Sequence, residues 1–370
     1  FFDRSIDQIK CQNIRHKAYE KDCENAKHFS QSFFYPFFSN HLISLWGISI
    51  LGFLVIGWSI FSVYRHGDVL AHRLAYSWLI HGGIGGLLFV GLVELFMTAS
   101  PYGDFLLGET SFSILMLFMG GSGGIISFVI PRKKTKAEKG SFILPYLGFL
   151  FVLYLLVFIL PGSFVEVGLS KLQLVIIIFF CLCSYGWLVA IHSPEAERVV
   201  LFPSEDESSK TFAVESESPF SSYWHSGWLV IHLVAVFSVA WVLLPYTKKT
   251  ILSEAYSPQW IGMILGILLV APISKGMIGY AREGNFAEAI RLGILLEISR
   301  VCLGVSALIG FAIWLNQGIV LAFNLPQAIL IGSSFIVLGL FTVRGEDEKY
   351  LKILGFCYFG LLVGYLLLFC

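Results

Sequence analysis

The chain has 370 residues, of which 56% are hydrophobic and only 14% charged, and its mean hydropathy is +0.77. Soluble domains carry about 25% charged residues, so this composition excludes an ordinary water-soluble domain and belongs in lipid. The 25 Lys and Arg residues balance 25 Asp and Glu, which leaves no electrostatic footprint for nucleic acid or a polybasic membrane-surface role.

Residues 1–41 form a polar segment of mixed charge that ends in Phe33-Phe34-Tyr35-Pro36-Phe37-Phe38. Such an aromatic cluster suits a membrane interface. The segment opens at Phe1 with neither an initiator Met nor an apolar signal core, so a processed or trimmed chain is expected. A spanning helix needs about 20 apolar residues. Ten stretches qualify: 42–64, 74–98, 108–130, 142–161, 170–191, 224–245, 257–280, 286–315, 324–343 and 351–370. The expected fold is an all-α integral membrane protein.

The basic connections Arg132-Lys133-Lys134-Thr135-Lys136, Arg65 with Arg73, and Arg344 with Lys349 and Lys352 all fall on one side if the N-terminus lies on the other. Positive loops face the cytosol or matrix, so the N-terminus is expected to be non-cytosolic, with Lys248 and Lys249 running against the bias. The sequence leaves the membrane open between mitochondrial inner membrane, endomembrane and plasma membrane. Residues 192–223 contain Ser204-Glu205-Asp206-Glu207-Ser208-Ser209 and Glu215-Ser216-Glu217-Ser218, expected to be a solvated, disordered connector. Cation binding or phosphorylation is its functional alternative. The connector divides the chain into five-helix halves, 42–191 and 224–370. Five spans per half give opposite orientations, hence two inverted repeats with a site at the midplane where equivalent helices meet.

Leu74 to Ser127 is the most distinctive stretch. Gly82, Gly83, Gly85, Gly86 and Gly91, then Gly120, Gly121, Gly123 and Gly124, allow helices to approach closely or unwind. Glu94 stands alone among them. An ionised group at the bilayer centre costs roughly 3 kcal/mol, which makes Glu94 a functional candidate; the plainer reading is a protonated or paired acid in a glycine-packed helix pair. His81 is a candidate proton relay or, more simply, a buried histidine bonded to a carbonyl. In the second half, the seventh stretch carries Gly262, Gly266, Gly276 and Gly279 and is expected to be interrupted at Pro272. The eighth carries Arg291, Glu297 and Arg300, the last two on one helical face and able to pair. Of the seven cysteines, Cys11 and Cys23 could pair in an oxidising space, and the others lie in apolar runs. Cys181 and Cys183 point to different faces of a helix, so they form no metal pair.

On this layout the chain resembles the cation/Ca²⁺ exchanger superfamily, most closely the mitochondrial sodium/calcium exchanger and plant cation/calcium exchanger branch. Val90-Gly91-Leu92-Val93-Glu94-Leu95-Phe96 stands where the family has Gly-Asn-Gly-Ala-Pro-Asp/Glu-hydrophobic-Phe. Ser113-Ile114-Leu115 followed by Gly120-Gly121 falls at the partner helix's small-residue motif, and Lys352 to Tyr358 resembles the closing helix. Val90 and Val93 replace the family's Asn and Pro. In the second repeat, Val270-Ala271-Pro272-Ile273-Ser274-Lys275 occupies the acidic motif without a carboxylate. Gly284-Asn285-Phe286-Ala287-Glu288 follows that helix rather than lying in it, and reads as a loop with Asn285 as an N-cap.

The resemblance implies an ion site built from one acid per repeat with amides and backbone carbonyls. Ca²⁺ takes six to eight oxygen ligands. This chain offers a remnant: Glu94 with Thr98, Ser100 and Ser274. Lys275, Glu297 and Arg300 are the substituting charges, and at an effective dielectric of 20 a base 4 Å from a cation's place opposes it by about 4 kcal/mol per unit charge. The expectation is that Glu94 pairs with Arg300 or Lys275, and that Glu297 satisfies the remaining base. Two functions follow. One is a transport-inactive or altered exchanger-fold protein serving as a structural or regulatory subunit with partner membrane subunits. The other is an active cation antiporter, Ca²⁺/Na⁺ or monovalent cation/proton, working through Glu94. No nucleophile–base set or phosphate-binding loop marks an enzyme. No cofactor is expected beyond Ca²⁺ or Na⁺ as cargo; the bilayer is the expected partner, and nucleic acid is not.

Overall fold

The computed structural model describes residues 40–74, 77–99, 103–118, 143–161, 169–191, 219–250, 258–282, 286–315, 321, 323, 325–344 and 348–367. Its described elements are helices: α1 (Asn40–Leu74), α2 (Ser77–Ala99), α3 (Gly103–Met116) and α4 (Leu144–Tyr154, continued by a π-helical turn, Leu155–Ile159). Then come α5 (Lys171–Ile191), α6 (Pro219–Thr250), α7 (Pro258–Arg282), and α8, which joins Phe286–Ser299, a π-helical turn Arg300–Val305 and Ser306–Leu315. The last two are α9 (Leu325–Arg344) and α10 (Glu348–Leu367).

Six of them, α1, α2 and α5 to α8, contain segments long and apolar enough to cross a bilayer, and Leu144–Ile159, Pro326–Leu340 and Gly355–Leu367 are shorter apolar helices. The chain is an integral membrane protein. Its helices divide by burial. Most of Ala289–Leu315 in α8 is inside the protein (89%), whereas only 17% of the Ser222–Pro245 segment of α6 is. Trp224, Val230, Trp241 and Val242 of α6, with Leu172, Phe179 and Trp187 of α5, instead turn large apolar side chains outward. In water such faces would mark binding surfaces; on these helices they suit acyl chains.

Glycines set two close helix crossings. A Cβ on Gly82 of α2 would meet Ser299 Cβ of α8 at 2.5 Å, and one on Gly86 would lie 3.3 Å from Leu303 Cβ. Gly304 of α8 returns the fit, leaving room for Phe89 of α2. On the other seam, a Cβ on Gly262 of α7 would meet the Glu109 carbonyl carbon of α3 at 2.9 Å, and one on Gly266 would meet Ser113 Cβ at 3.0 Å. Gly82/Gly86 and Gly262/Gly266 are both glycines four apart, the spacing that brings two backbones together in lipid.

Three expectations change. α7 is continuous through Pro272, so Val270 to Lys275 is helical rather than unwound; neighbouring helices can satisfy the backbone group that proline frees. α2 likewise runs unbroken from Ser77 to Ala99, and its glycines serve close packing. The loop expected at Arg65 and Arg73 is helix, because α1 runs on to Leu74. Tyr64, Gly67, Asp68 and Ala71 recur there at helical spacing and are all buried. The aromatic cluster at 33–38, Cys11, Cys23 and Cys370, the basic run 132–136, the acidic connector 192–218, the glycines at 120–124 and the Gly284–Asn285 turn lie outside the described residues. Cys181, Cys183, Cys302 and Cys357 are free thiols.

Candidate functional site

Glu297 and Arg300 sit one turn apart in α8, each 4% exposed. Arg300 Nε donates to Glu297 Oε2 at 2.8 Å and its Nη2 to Oε1 at 2.5 Å, a two-pronged ion pair. Tyr154, at the end of the regular part of α4, places its hydroxyl 2.5 Å from Glu297 Oε1 as donor and 3.1 Å from Arg300 Nη2 as acceptor. The Ser111 carbonyl of α3 is a second acceptor for that hydroxyl, at 3.3 Å. Phe89 of α2 lies flat beneath the guanidinium, 4.5 Å from Cζ to ring centroid. Four helices therefore meet on one neutralised charge. Both Arg300 and Tyr154 border a π-helical turn, a local widening that often marks functional positions in helices. Tyr154→Phe is expected to cost about 1.5–3 kcal/mol, the worth of a hydrogen bond to a charged group, read as a lower unfolding temperature in detergent.

A second polar group borders this one. His81 of α2 is fully buried, with Nε2 3.2 Å from Asp68 Oδ1 of α1. Its ring lies parallel to Tyr64, centroids 6.4 Å apart. Gly85 of α2 leaves room for the Tyr64 hydroxyl, which would come within 2.9 Å of a Cβ there. His81 thus has a carboxylate beside it. On the α1–α6 contact, His66 and His225 bring Nδ1 to Nδ1 at 2.9 Å, which requires one proton between them.

The residues singled out in the sequence are only partly brought together. Glu297 and Arg300 pair as their spacing predicts. Glu94 joins neither base: among the described residues no ion pair links it to Arg300 or Lys275. Geometry explains this. Glu94 is five residues beyond Phe89, about 7.5 Å further along α2 and roughly 140° around it, so the residue that meets Arg300 turns Glu94 away. Its side chain is half-buried, and Phe237 of α6 fills the space beside Gly91, one turn earlier. Lys275 is exposed, with Nζ 5.9 Å above the Phe61 ring, and Ser274 is half-buried. The Thr98 side chain and Ser100 lie outside the described residues. No group of three or more metal-ligating side chains occurs among the described residues.

Glu109 of α3, which no pattern in the sequence marks, has a specific partner in the structure. Gln327 Nε2 of α9, itself 4% exposed, donates to both carboxylate oxygens at 3.1 and 3.0 Å. Its signal was faint, since Glu109 falls at the edge of an apolar stretch beside Gly108 and Asp104, where a charge reads as interfacial.

The described residues form an all-helical membrane bundle with glycine-tight crossings and a buried, neutralised charge at the α2–α8 crossing. The comparisons agree. The chain is 25% identical over 332 residues to the Escherichia coli sodium-potassium/proton antiporter ChaA, covering 86% of this chain and 90% of that protein. Among solved structures it is similar to native YfkE, with a TM-score of 0.67, 13% identity and 86% and 92% of the two chains covered. It is also similar to the H⁺/Ca²⁺ exchanger CAX, with a TM-score of 0.60, 12% identity and 88% of each chain covered. For the sodium-calcium exchanger NCX_Mj the TM-score is 0.52 and the identity 16%, over 87% of this chain and 97% of that one. No family model matches the chain. The chain has the fold of these exchanger structures.

Proposed function

We propose that this protein is a cation antiporter that exchanges a monovalent cation for protons through Glu94, within ten spans arranged as two inverted five-helix repeats. The carrying observation is the separation of the charges. Arg300 is neutralised within its own helix by Glu297, so Glu94 keeps its charge for a mobile ion instead of a fixed one. The glycine seams support the repeat arrangement. Laying the second five helices on the first puts α7 on α2 and α8 on α3, and the α2–α8 crossing then exchanges with α7–α3. One half-buried carboxylate suits Na⁺, K⁺ or H⁺ better than Ca²⁺, which needs more oxygen ligands and more negative charge. The proton coupling of ChaA supports the same choice.

The transport-inactive reading rests on the missing second carboxylate at Val270 to Lys275 and on the buried Arg300–Glu297 pair at the α2–α8 crossing, where a fixed cation would oppose a mobile one. Purified protein in proteoliposomes with an internal pH dye separates the two. Antiport predicts that a Na⁺ or K⁺ gradient acidifies the lumen when directed outward and alkalises it when directed inward, while Ca²⁺ gradients do so weakly. A lumen pH indifferent to all three ions would retire the antiporter.

A further inference from the structure

We propose that Glu109 is a second exchangeable carboxylate, a proton-binding site between α3 and α9, so that protons are taken up there while Glu94 serves the cation. This rests on the antiporter reading. Antiport with protons is easier to couple when two acids can be occupied differently, and the second repeat has none at Val270 to Lys275. Glu109 supplies one from a helix that packs directly on α7, since its own backbone lies against Gly262. Its surroundings are those of an acid that changes state rather than of a structural ion pair. It is partly buried, and among the described residues no base lies at ion-pair distance. Its partner is an amide that spans both oxygens almost equally, at 3.1 and 3.0 Å.

A side-chain amide suits both protonation states. Its NH₂ donates to a carboxylate, and after a half-turn its oxygen accepts from a carboxylic acid, with little change in shape. The same face of α3 continues in polar contacts. Ser113, one turn on, accepts from Tyr365 Oη of α10 at 2.7 Å, and Tyr365 is the titratable neighbour of Glu109 among the described residues. α7 presents Gly262 and α9 presents Gln327, so neither adds a charge there.

Infrared pH titration of the full-length protein in lipid tests the site without needing transport. A carboxylic-acid carbonyl band that grows as pH falls should vanish in Glu109→Gln and survive in Glu94→Gln. Glu109→Asp should keep a displaced band, which separates loss of the group from misfolding. Gln327→Leu should move the band's midpoint to higher pH, because the ionised form loses its amide donor. In proteoliposomes, Glu109→Gln should abolish proton movement driven by Na⁺ or K⁺. A titrating band untouched by Glu109→Gln, or a midpoint unmoved by Gln327→Leu, overturns the proposal. A Glu109 band in a wild-type protein without antiport retires the antiporter and keeps the site; antiport without that band does the reverse.

Discussion

Replacing Arg300 with leucine is expected to destabilise the protein by about 3–5 kcal/mol, the usual cost of leaving one half of a buried ion pair uncompensated. Glu297 would remain 4% exposed beside Tyr154 with its countercharge gone. The double substitution of Glu297 and Arg300 by leucine should recover most of the loss, because apolar side chains of similar volume often replace such pairs at no net cost. Tyr154 keeps an acceptor in the double variant, the Ser111 carbonyl 3.3 Å from its hydroxyl. Thermal unfolding in one detergent, compared across the two single variants and the double, gives the coupling directly. Additive losses would mean that the contact seen here contributes little. The cycle also bears on function: if the pair is only structural, the double variant transports as the wild type does.

The glycine seams should be nearly as sensitive. Gly262→Ala puts a methyl 2.9 Å from the Glu109 carbonyl carbon and 3.0 Å from the Thr110 nitrogen, backbone atoms that cannot rotate aside. Gly82→Ala meets the short Ser299 side chain at 2.5 Å. Each is expected to cost about 1–3 kcal/mol by overpacking. Gly148 and Gly310 have nothing within 4 Å of the same added atom, so alanine there should be neutral or stabilising by roughly 0.5–1 kcal/mol, since glycine disfavours a helix interior. Equal losses at all four positions would contradict close packing at the two crossings.

How far the sequence reached is clearest in particular residues. Apolar length and spacing are properties of local chain, and they revealed the helical class, the Glu297–Arg300 pair at i,i+3 and the small-residue seams. Which acid meets which base is settled by helix rotation and by partners far apart in the chain. That is why Glu94 was expected beside Arg300, whereas Phe89, five residues earlier, is the α2 residue that meets it. Tyr154 and Gln327 were invisible for the same reason. Each lies more than a hundred residues from the charge it contacts, and a tyrosine or glutamine in an apolar run carries no pattern of its own. Pro272 misled in the opposite direction, because a helix breaker in water is tolerated where neighbouring helices supply hydrogen-bond partners.

If Glu94 holds the mobile ion because Arg300 is already neutralised by Glu297, removing the Glu94 charge must stop exchange. The decisive comparison sets wild type beside Glu94→Gln in the same vesicles and follows Na⁺- or K⁺-driven proton movement. Exchange is expected in the wild type and should fall to the level of protein-free vesicles in the variant, with folding intact by thermal unfolding. Exchange that persists undiminished in Glu94→Gln would contradict it.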